Sequence, residues 1–449
     1  MSKLNVHIET FGCQMNVSDS ERVATKLRTE GFELTETANS ADIILLNTCS
    51  IREKAEQKVF RRVSEIERER AREGRAPLVG VMGCVAQLEG ESIFNSSSSV
   101  RLVAGTGATD RISSLLERVI GGERRVIDLG EREAEGAFEV SPAERHSRHV
   151  AFVPVIEGCN KFCAYCIVPY SRGRERSRTA FEIVEEVKRL GADGFKEVHL
   201  IGQNVNSYRP RIEKGLEGFA GATPFARLLR AVASTGMPRI KFTTSFPRDF
   251  HADIVKAIEE YENLCNWVHL PVQSGNNRVL RAMRRGHRVE EYLERVAAVK
   301  NSSKELSLTS DIIVGFPGET DEEFEDTLRL AERCEFHGLY IFKYSKRRGT
   351  PAAKLKDDVS AEEKTRRFLA LEGLQMSIQS EIYRSYVGKI VEVLAGGFSA
   401  RSDRDLTGHT TCNKVVNFGG SAELIGKILK VRVTEAKAHS LFGQILHEV

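Results

Sequence analysis

Cys159, Cys163 and Cys166 bring three thiols onto one short stretch, Cys159-Asn-Lys-Phe-Cys163-Ala-Tyr-Cys166, with no fourth cysteine nearby. A structural zinc site takes four protein ligands, whereas an iron–sulfur cubane held by three thiolates keeps one iron open to a small molecule. Spacings of four and then three residues let one loop wrap one cluster. A zinc knuckle lacking its histidine and a redox Cys-x-x-Cys pair are the alternatives these three residues leave open.

The flanks give the loop a setting. Val150-Ala-Phe-Val-Pro-Val-Ile156 reads as a buried strand and Glu157-Gly158 as the turn after it, so the loop begins where a strand of an α/β fold ends. Upstream, strand-like runs (Leu4 to Ile8, Asp42 to Leu46, Pro77 to Met82, Arg101 to Ala104) alternate with helical ones such as Ser18 to Glu30. That alternation predicts a parallel sheet with helices on its faces, a Rossmann-like domain over 3–120. Cys13, Cys49 and Cys84 each lie just past one of these strands, in Phe11-Gly-Cys13, Asn47-Thr-Cys49 and Met82-Gly-Cys84. Parallel strands share a carboxyl edge, which brings the three onto one rim, the usual ligand edge of such sheets. Three buried free cysteines would look the same in sequence.

Residues 121–149 turn charged and irregular and read as a linker; the serine run 96–99 reads as a surface loop. From 150 to 376, six strand-like runs are separated mostly by helical ones, including Phe181 to Leu190 and Glu290 to Lys300. Eight would have suggested a complete barrel. Loops after the strands carry Gln203-Asn204, Gln273-Ser274 and Gly315 to Glu319, polar groups that serve equally well as helix caps. Arg172, Arg174, Arg176 and Arg178 follow the cysteine loop, and guanidinium forks suit carboxylates and phosphates. His199, His269, Cys265 and Cys334 lie in or near apolar runs and read as core. The segment 379–447 changes to short β-like runs split by Gly and Asp turns, a small all-β barrel.

The Cys-x3-Cys-x2-Cys spacing, with Tyr165 just before the third cysteine, resembles the radical S-adenosylmethionine (SAM) superfamily. That resemblance implies a partial (β/α)6 barrel of TIM type and a [4Fe-4S] cluster on Cys159, Cys163 and Cys166. The open iron of that cluster would bind SAM and cleave it to a 5′-deoxyadenosyl radical. It also implies SAM contacts from Tyr165, Gln203, Gln273 and Ser274. Thr10-Phe-Gly-Cys-Gln-Met-Asn16 and Asn47-Thr-Cys-Ser-Ile-Arg52 narrow the likeness, essentially whole-chain, to the methylthiotransferases. In these, the N-terminal trio, here Cys13, Cys49 and Cys84, holds an auxiliary [4Fe-4S] cluster. One SAM then serves as methyl donor and a second as radical source, so that C–H becomes C–S–CH3. The catalytic groups beyond the cluster ligands are not indicated.

Within that family, Cys159 to Gly173 and Gly202-Gln-Asn-Val-Asn-Ser-Tyr208 look most like the group acting on N6-dimethylallyladenosine at position 37 of tRNA. Phe246, where many members have histidine, and Lys346, where proline often follows the serine, depart from the pattern. The C-terminal segment resembles the TRAM domain, an RNA-binding module similar to an OB fold. Arg401, Arg404, Lys414, Arg432 and Lys437, with Arg172 and Arg174, are candidate RNA contacts, while Phe398 and Phe418 are expected in the barrel core. The resemblance implies tRNA as partner, with the prenylated anticodon stem-loop as its recognised part. It further implies an electron donor such as flavodoxin or ferredoxin and a monomer. A sister enzyme acting on threonylcarbamoyladenosine or on a ribosomal-protein aspartate, and a non-catalytic iron–sulfur RNA sensor, are the rival readings.

Composition sets limits. The 449 residues, 41% hydrophobic and 29% charged, are ordinary for a globular protein with two or three domains. A net charge of +3 makes any nucleic-acid site a local patch. Nine scattered cysteines do not form a secreted disulfide framework, and no apolar run is long enough to span a membrane. A cytoplasmic protein is expected.

Overall fold

The computed structural model describes residues 4–50, 53–72, 78–132 and 140–448. Ile51, Arg52, Pro77 and residues 133–135 of the charged stretch lie outside them. The chain divides into two compact units. The first comprises residues 1–147 with 157–162 and 166–175, and the second comprises 148–156, 163–165 and 176–449.

In the first unit, β1 (Asn5–Thr10), β2 (Glu33–Leu34), β3 (Ile43–Thr48), β4 (Leu78–Gly83), β5 (Val100–Ala104) and β6 (Val126–Asp128) form one parallel sheet in the order β2-β1-β3-β4-β5-β6. The helices α1 (Gln14–Thr29), α2 (Glu53–Arg72), α3 (Cys84–Glu89) and α4 (Ile112–Ile120) connect the strands. Strand β3 is buried along its whole length, as a strand covered on both faces must be. Its side chains alternate: Ile43 and Leu45 pack with Val23 and Leu27 of α1 and Leu116 of α4, while Ile44 and Leu46 pack with Val59, Val63 and Ile66 of α2. The predicted sheet is therefore present.

The described parts of the segment expected to be a linker, 121–132 and 140–149, carry structure. Strand β6 is the sheet's sixth member, and further on Arg145 and His146 both bind the carboxylate of Glu21 in α1. The serine run is likewise more than a surface loop: Ser97 is buried, and the Ser97 and Ser99 hydroxyls both donate to Glu67. Three-residue strands and polar anchors of this kind carry no periodicity to read.

In the second unit, β7 (Val150–Glu157), whose last residue belongs to the first unit, is followed by three other elements. These are α5 (Val168–Arg172), also of the first unit, β8 (Arg176–Ser177) and α6 (Ala180–Ala192). Next come β9 (Glu197–Gly202), α7 (Pro224–Ala233), β10 (Arg239–Phe242), α8 (Ala252–Glu260) and β11 (Trp267–His269). Then α9 (Asn277–Ala282), α10 (Val289–Lys300), β12 (Ser307–Val314), α11 (Asp321–Cys334), β13 (Gly338–Lys343) and α12 (Ala361–Arg384) complete the series. The strands β7, β9 and β10 pair in parallel, as do β11, β12 and β13, and an isolated parallel bridge joins Ile240 of β10 to Leu264, in the segment leading into β11. These six strands with their helices match the expected (β/α)6 arrangement. Cys265 and Cys334 are buried, in keeping with a core role.

The closed barrel at the C-terminal end runs β14 (Ile390–Ser399), β15 (Ser402–Thr410), β16 (Val415–Gly419), β18 (Leu441–Glu448) and β17 (Ile428–Ala436). Its β15–β16 turn reaches residues at the starts of the (β/α)6 strands: Arg239 donates to the His409 carbonyl at 3.0 Å, and Lys414 Nζ lies 3.5 Å from Ser307 Oγ. Beneath them Glu197 pairs with Arg239 at 2.8 Å and Lys241 at 3.2 Å, all three buried. The turn thus docks on the strand-start end, away from the ends that carry the loops Gln203, Gln273 and Gly315.

Candidate functional site

The registers within the first sheet align its carboxyl edge. Thr10 is opposite Asn47, and Thr48 is opposite Gly83. Cys49 and Cys84 each directly follow their strands, and Cys13 comes three residues after β1. Side-chain hydrogen bonds fasten the three turns together. Asn16 accepts from the Cys13 thiol at 3.3 Å and donates to Asn47 Oδ1 at 3.1 Å and to the Thr48 carbonyl at 3.0 Å. Asn47 in turn donates to the Asn16 carbonyl and Ser20, and the Thr48 hydroxyl donates to the Met82 carbonyl at 2.6 Å. Gly12 is required by closeness: a Cβ there would come within 2.6 Å of the Cys49 Cβ. Gly83, at φ +92, would put one 2.5 Å from Asn47 Oδ1.

The electrostatics favour thiolate. Cys13 is lowered to about 6, first by a hydrogen bond from Cys49, with burial opposing and the charge of Arg172 assisting. Arg172 is itself held at 2.8 Å by Asp19, both side chains being buried, and its cationic form is further favoured by Cys84 and Cys13. Thiolates beside a buried cation suit an iron–sulfur cluster, whose ligands must be deprotonated. Among the described residues no three His, Cys, Asp or Glu side chains converge as tightly as a single metal ion requires.

Cys163-Ala-Tyr165 belongs to the second unit, Cys159 and Cys166 to the first. In the second unit Ala164 is pinned on both sides, its N–H donating to the Met283 carbonyl at 2.9 Å and its carbonyl accepting from Ala352 at 2.7 Å. Arg285 lies 3.5 Å from both Cys163 Sγ and the Tyr165 hydroxyl. In the first unit the Cys159 N–H donates to the Gly173 carbonyl, and Gly158, at φ +76, would place a Cβ 2.1 Å from the Arg174 carbonyl oxygen. Behind the turn, Glu157 is lowered to about 2 by the buried Arg132 and Arg22, against the opposing cost of its own burial.

The loop candidates separate. Gln273 is buried at φ +79, its backbone pinned to Asp311 and Ile313, and its Oε1 has no hydrogen-bond partner among the described residues. A non-glycine residue held in left-handed geometry with an unmet acceptor is the kind of position where strain serves a ligand. Ser274 is fully buried and accepts from the Asn276 N–H, while Asn276 caps α9, so this turn is built for the helix. Gln203 is partly buried, and next to it Asn204 is buried with an unmatched Oδ1.

The basic candidates separate as well. Arg172 is buried on Asp19 and Arg178 on Glu186, whereas Arg174 is exposed. Arg401, Arg404, Arg432 and Lys437 are exposed. Lys414, expected to contact phosphate, is 2% exposed, with its ammonium 4.6 Å from the Tyr386 ring centroid and 3.6 Å from Cys412 Sγ. It is a packing residue, because the β15–β16 turn docks inward. Phe418 is in the core as expected, but Phe398 is 48% exposed, since the β14–β15 hairpin end carries it outward. The sequence reading missed Asp19, Arg285 and the Asn16–Asn47 pair; both asparagines stand in the quoted motifs.

No helix among the described residues is long and apolar enough to cross a membrane. Residues 153–331 match the Radical SAM superfamily, 5–105 the Uncharacterized protein family UPF0004 and 384–446 the TRAM domain. The chain is 45% identical over 445 residues to tRNA-2-methylthio-N(6)-dimethylallyladenosine synthase of Koribacter versatilis, covering 98% of each chain. Identity to the enzyme of that name from Solibacter usitatus is 44%, covering 98% of this chain and 97% of the relative. To that of Histophilus somni it is 41%, covering 98% and 92%. The radical SAM methyltransferase TsrM from Kitasatospora setae shares the fold at TM-score 0.56 and 13% identity, over 87% of this chain and 79% of TsrM. The cobalamin-dependent radical SAM enzyme OxsB does so at 0.53 and 12%, over 84% and 58%. The chain therefore belongs to the tRNA-2-methylthio-N(6)-dimethylallyladenosine synthase family of the radical SAM superfamily.

Proposed function

We propose that this protein is a radical SAM methylthiotransferase that converts N6-dimethylallyladenosine at position 37 of tRNA to its 2-methylthio derivative. Likeness to synthases of that name along essentially the whole chain carries the reading. In it, Cys159, Cys163 and Cys166 hold one [4Fe-4S] cluster and Cys13, Cys49 and Cys84 an auxiliary one. When bound, the first supplies the electron that cleaves SAM and the second the sulfur that replaces hydrogen.

The chain's own residues have three tasks. The Asn16–Asn47–Thr48 network fixes the auxiliary turns, and Arg172 balances the negative charge of their thiolates. Gln273, with Gln203 and Tyr165, lines the strand ends where SAM binds; Ser274 shapes the turn. Arg401, Arg404 and Arg432 contact tRNA phosphates, which fix register without reading sequence. The target base is reached in the exposed anticodon loop, because a stacked ring carbon is inaccessible. The auxiliary-cluster domain runs past 120 to include β6, followed by domains over 150–376 and 379–447. The enzyme works as a cytoplasmic monomer, reduced by a flavodoxin- or ferredoxin-type donor.

Anaerobic reconstitution with SAM, reductant and anticodon stem-loop, followed by nucleoside mass analysis, tests the substrate. A methylthio product from the prenylated loop is expected. Equal conversion of an unprenylated loop would overturn the assignment.

A further inference from the structure

Successive residues of a strand face opposite sides of its sheet. Val268, Leu308, Ile312 and Val314 belong to the core that the helices cover, and Leu339 and Ile341 of β13 pack against it. The residues between them, Trp267, His269, Thr309, Asp311, Tyr340 and Phe342, therefore line the inner face, turned away from the helices. On that face Tyr340 is 52% exposed and Phe342 37%. Scattered exposed aromatics are ordinary, but two in succession on one face of one strand form a continuous apolar surface, and such surfaces mark binding.

Strand register places this surface beside the candidate SAM residues of the second unit. Phe342 is opposite Ile313, and Tyr340 is opposite Asp311. The Ile313 N–H donates to the Gln273 carbonyl at 3.0 Å, and its side chain packs against the apolar cluster that contains Ala164 of the cysteine loop. Phe342 is thus two strand spacings from Gln273, about 10 Å, and Tyr340 lies one residue pair deeper, about 7 Å along the strand. The polar groups beside the rings engage one another. His269 lies 3.0 Å from the Thr309 hydroxyl and 3.4 Å from the Asp311 carboxylate, and Trp267 donates to Thr309 at 2.9 Å. The His269 ring also stands nearly perpendicular to that of Tyr340, their centroids 5.8 Å apart. A wall whose polar groups are already matched offers contact area more than hydrogen bonds, which suits an apolar ligand group.

We propose that Tyr340 and Phe342 are specificity-determining residues: their rings hold the dimethylallyl group of the target adenosine, with the base kept at the level of the strand ends that carry Gln273. This rests on the proposed function, from which the substrate is taken. The dimethylallyl group is branched, apolar and flat about its double bond, so paired aromatic rings match its shape. Burying its methyl groups against them favours prenylated RNA, whereas an unprenylated adenosine leaves the same surface in water.

The test uses the full-length reconstituted protein with SAM. Fluorescence anisotropy gives Kd for the prenylated and the unprenylated anticodon stem-loop, and iron and methylthio product are followed on the same samples. The wild type is expected to prefer the prenylated loop by about tenfold or more. Tyr340→Ala and Phe342→Ala should each reduce that preference by about fivefold, through the prenylated loop alone and with iron unchanged. Where an alanine variant loses iron, Tyr340→Trp decides: it adds bulk at an open position and should weaken the prenylated loop while sparing the other. Equal weakening of both loops, a preference unchanged in the variants, or a wild type that binds both loops alike overturns the proposal. A wild type that forms no methylthio product overturns the proposed function and this inference with it, whereas product formation with the preference intact in the variants overturns this inference alone.

Discussion

Asn16, at the start of α1, donates to Asn47, near the end of β3, at 3.1 Å, and both are fully buried. The pair ties the turn of Cys13 to that of Cys49, and Thr48 extends the tie to the strand before Cys84. Removing one amide strands the other without water. Asn47→Ala should therefore cost about 1–3 kcal/mol in unfolding free energy for each buried group left unpaired. Iron per chain should fall from about eight, for two four-iron clusters, toward about four. Chemical denaturation and iron analysis check both outcomes.

Glu157 neutralises two guanidiniums at the root of the loop that carries Cys159. Glu157→Gln leaves Arg22 and Arg132 with Asp110 as a remaining carboxylate partner and should destabilise the protein by about 1–3 kcal/mol, as loss of a buried charged hydrogen-bond partner does. Its carboxylate is lowered to about 2. The stability it confers is full above the ordinary carboxylate value and is lost as pH falls toward 2. Acid unfolding of the variant should be correspondingly less steep than that of the wild type between pH 5 and pH 2, each bound being about what linkage gives.

The lowered Cys13 thiol makes a separate pH prediction for metal-free protein. Iodoacetamide labelling of Cys13, read by peptide mass, should rise with pH about a midpoint near 6. Arg172→Met, which removes an assisting cation, should move that midpoint upward. An ordinary thiol midpoint in the wild type would contradict the described electrostatics.

The basic residues of the C-terminal barrel should fall into two classes. Arg401→Ala and Arg404→Ala should each weaken tRNA binding and reduce the salt-dependence slope by about one, as loss of a phosphate contact does. Lys414→Met should leave that slope unchanged while altering thermal stability, because its ammonium faces Tyr386, Cys412 and Ser307. Fluorescence anisotropy over a salt series separates the classes.

Much of this architecture is legible from residues alone. Ile43 to Leu46 announces a strand covered on both faces, and the cysteines after β1, β3 and β4 announce a shared rim, because strand period and parallel register are local consequences of sequence. What could not be read depends on approach in space. Nothing in Lys414 or Phe398 tells which faces inward, since the first is set by where the β15–β16 turn docks and the second by the end of the β14–β15 hairpin. Likewise Arg285, more than a hundred residues from Cys163, meets it only through the turn after α9. Strand β6 was lost in a charged stretch because three residues show no period.

In the proposed reaction the trio of the first unit serves sulfur insertion, distinct from SAM cleavage. It is tested most directly by reacting the Cys13→Ala, Cys49→Ala, Cys84→Ala variant with SAM, reductant and prenylated stem-loop, and measuring nucleosides and 5′-deoxyadenosine by mass. The methylthio nucleoside should be absent while 5′-deoxyadenosine is still formed. Methylthio product at the wild-type level from this variant would contradict the account.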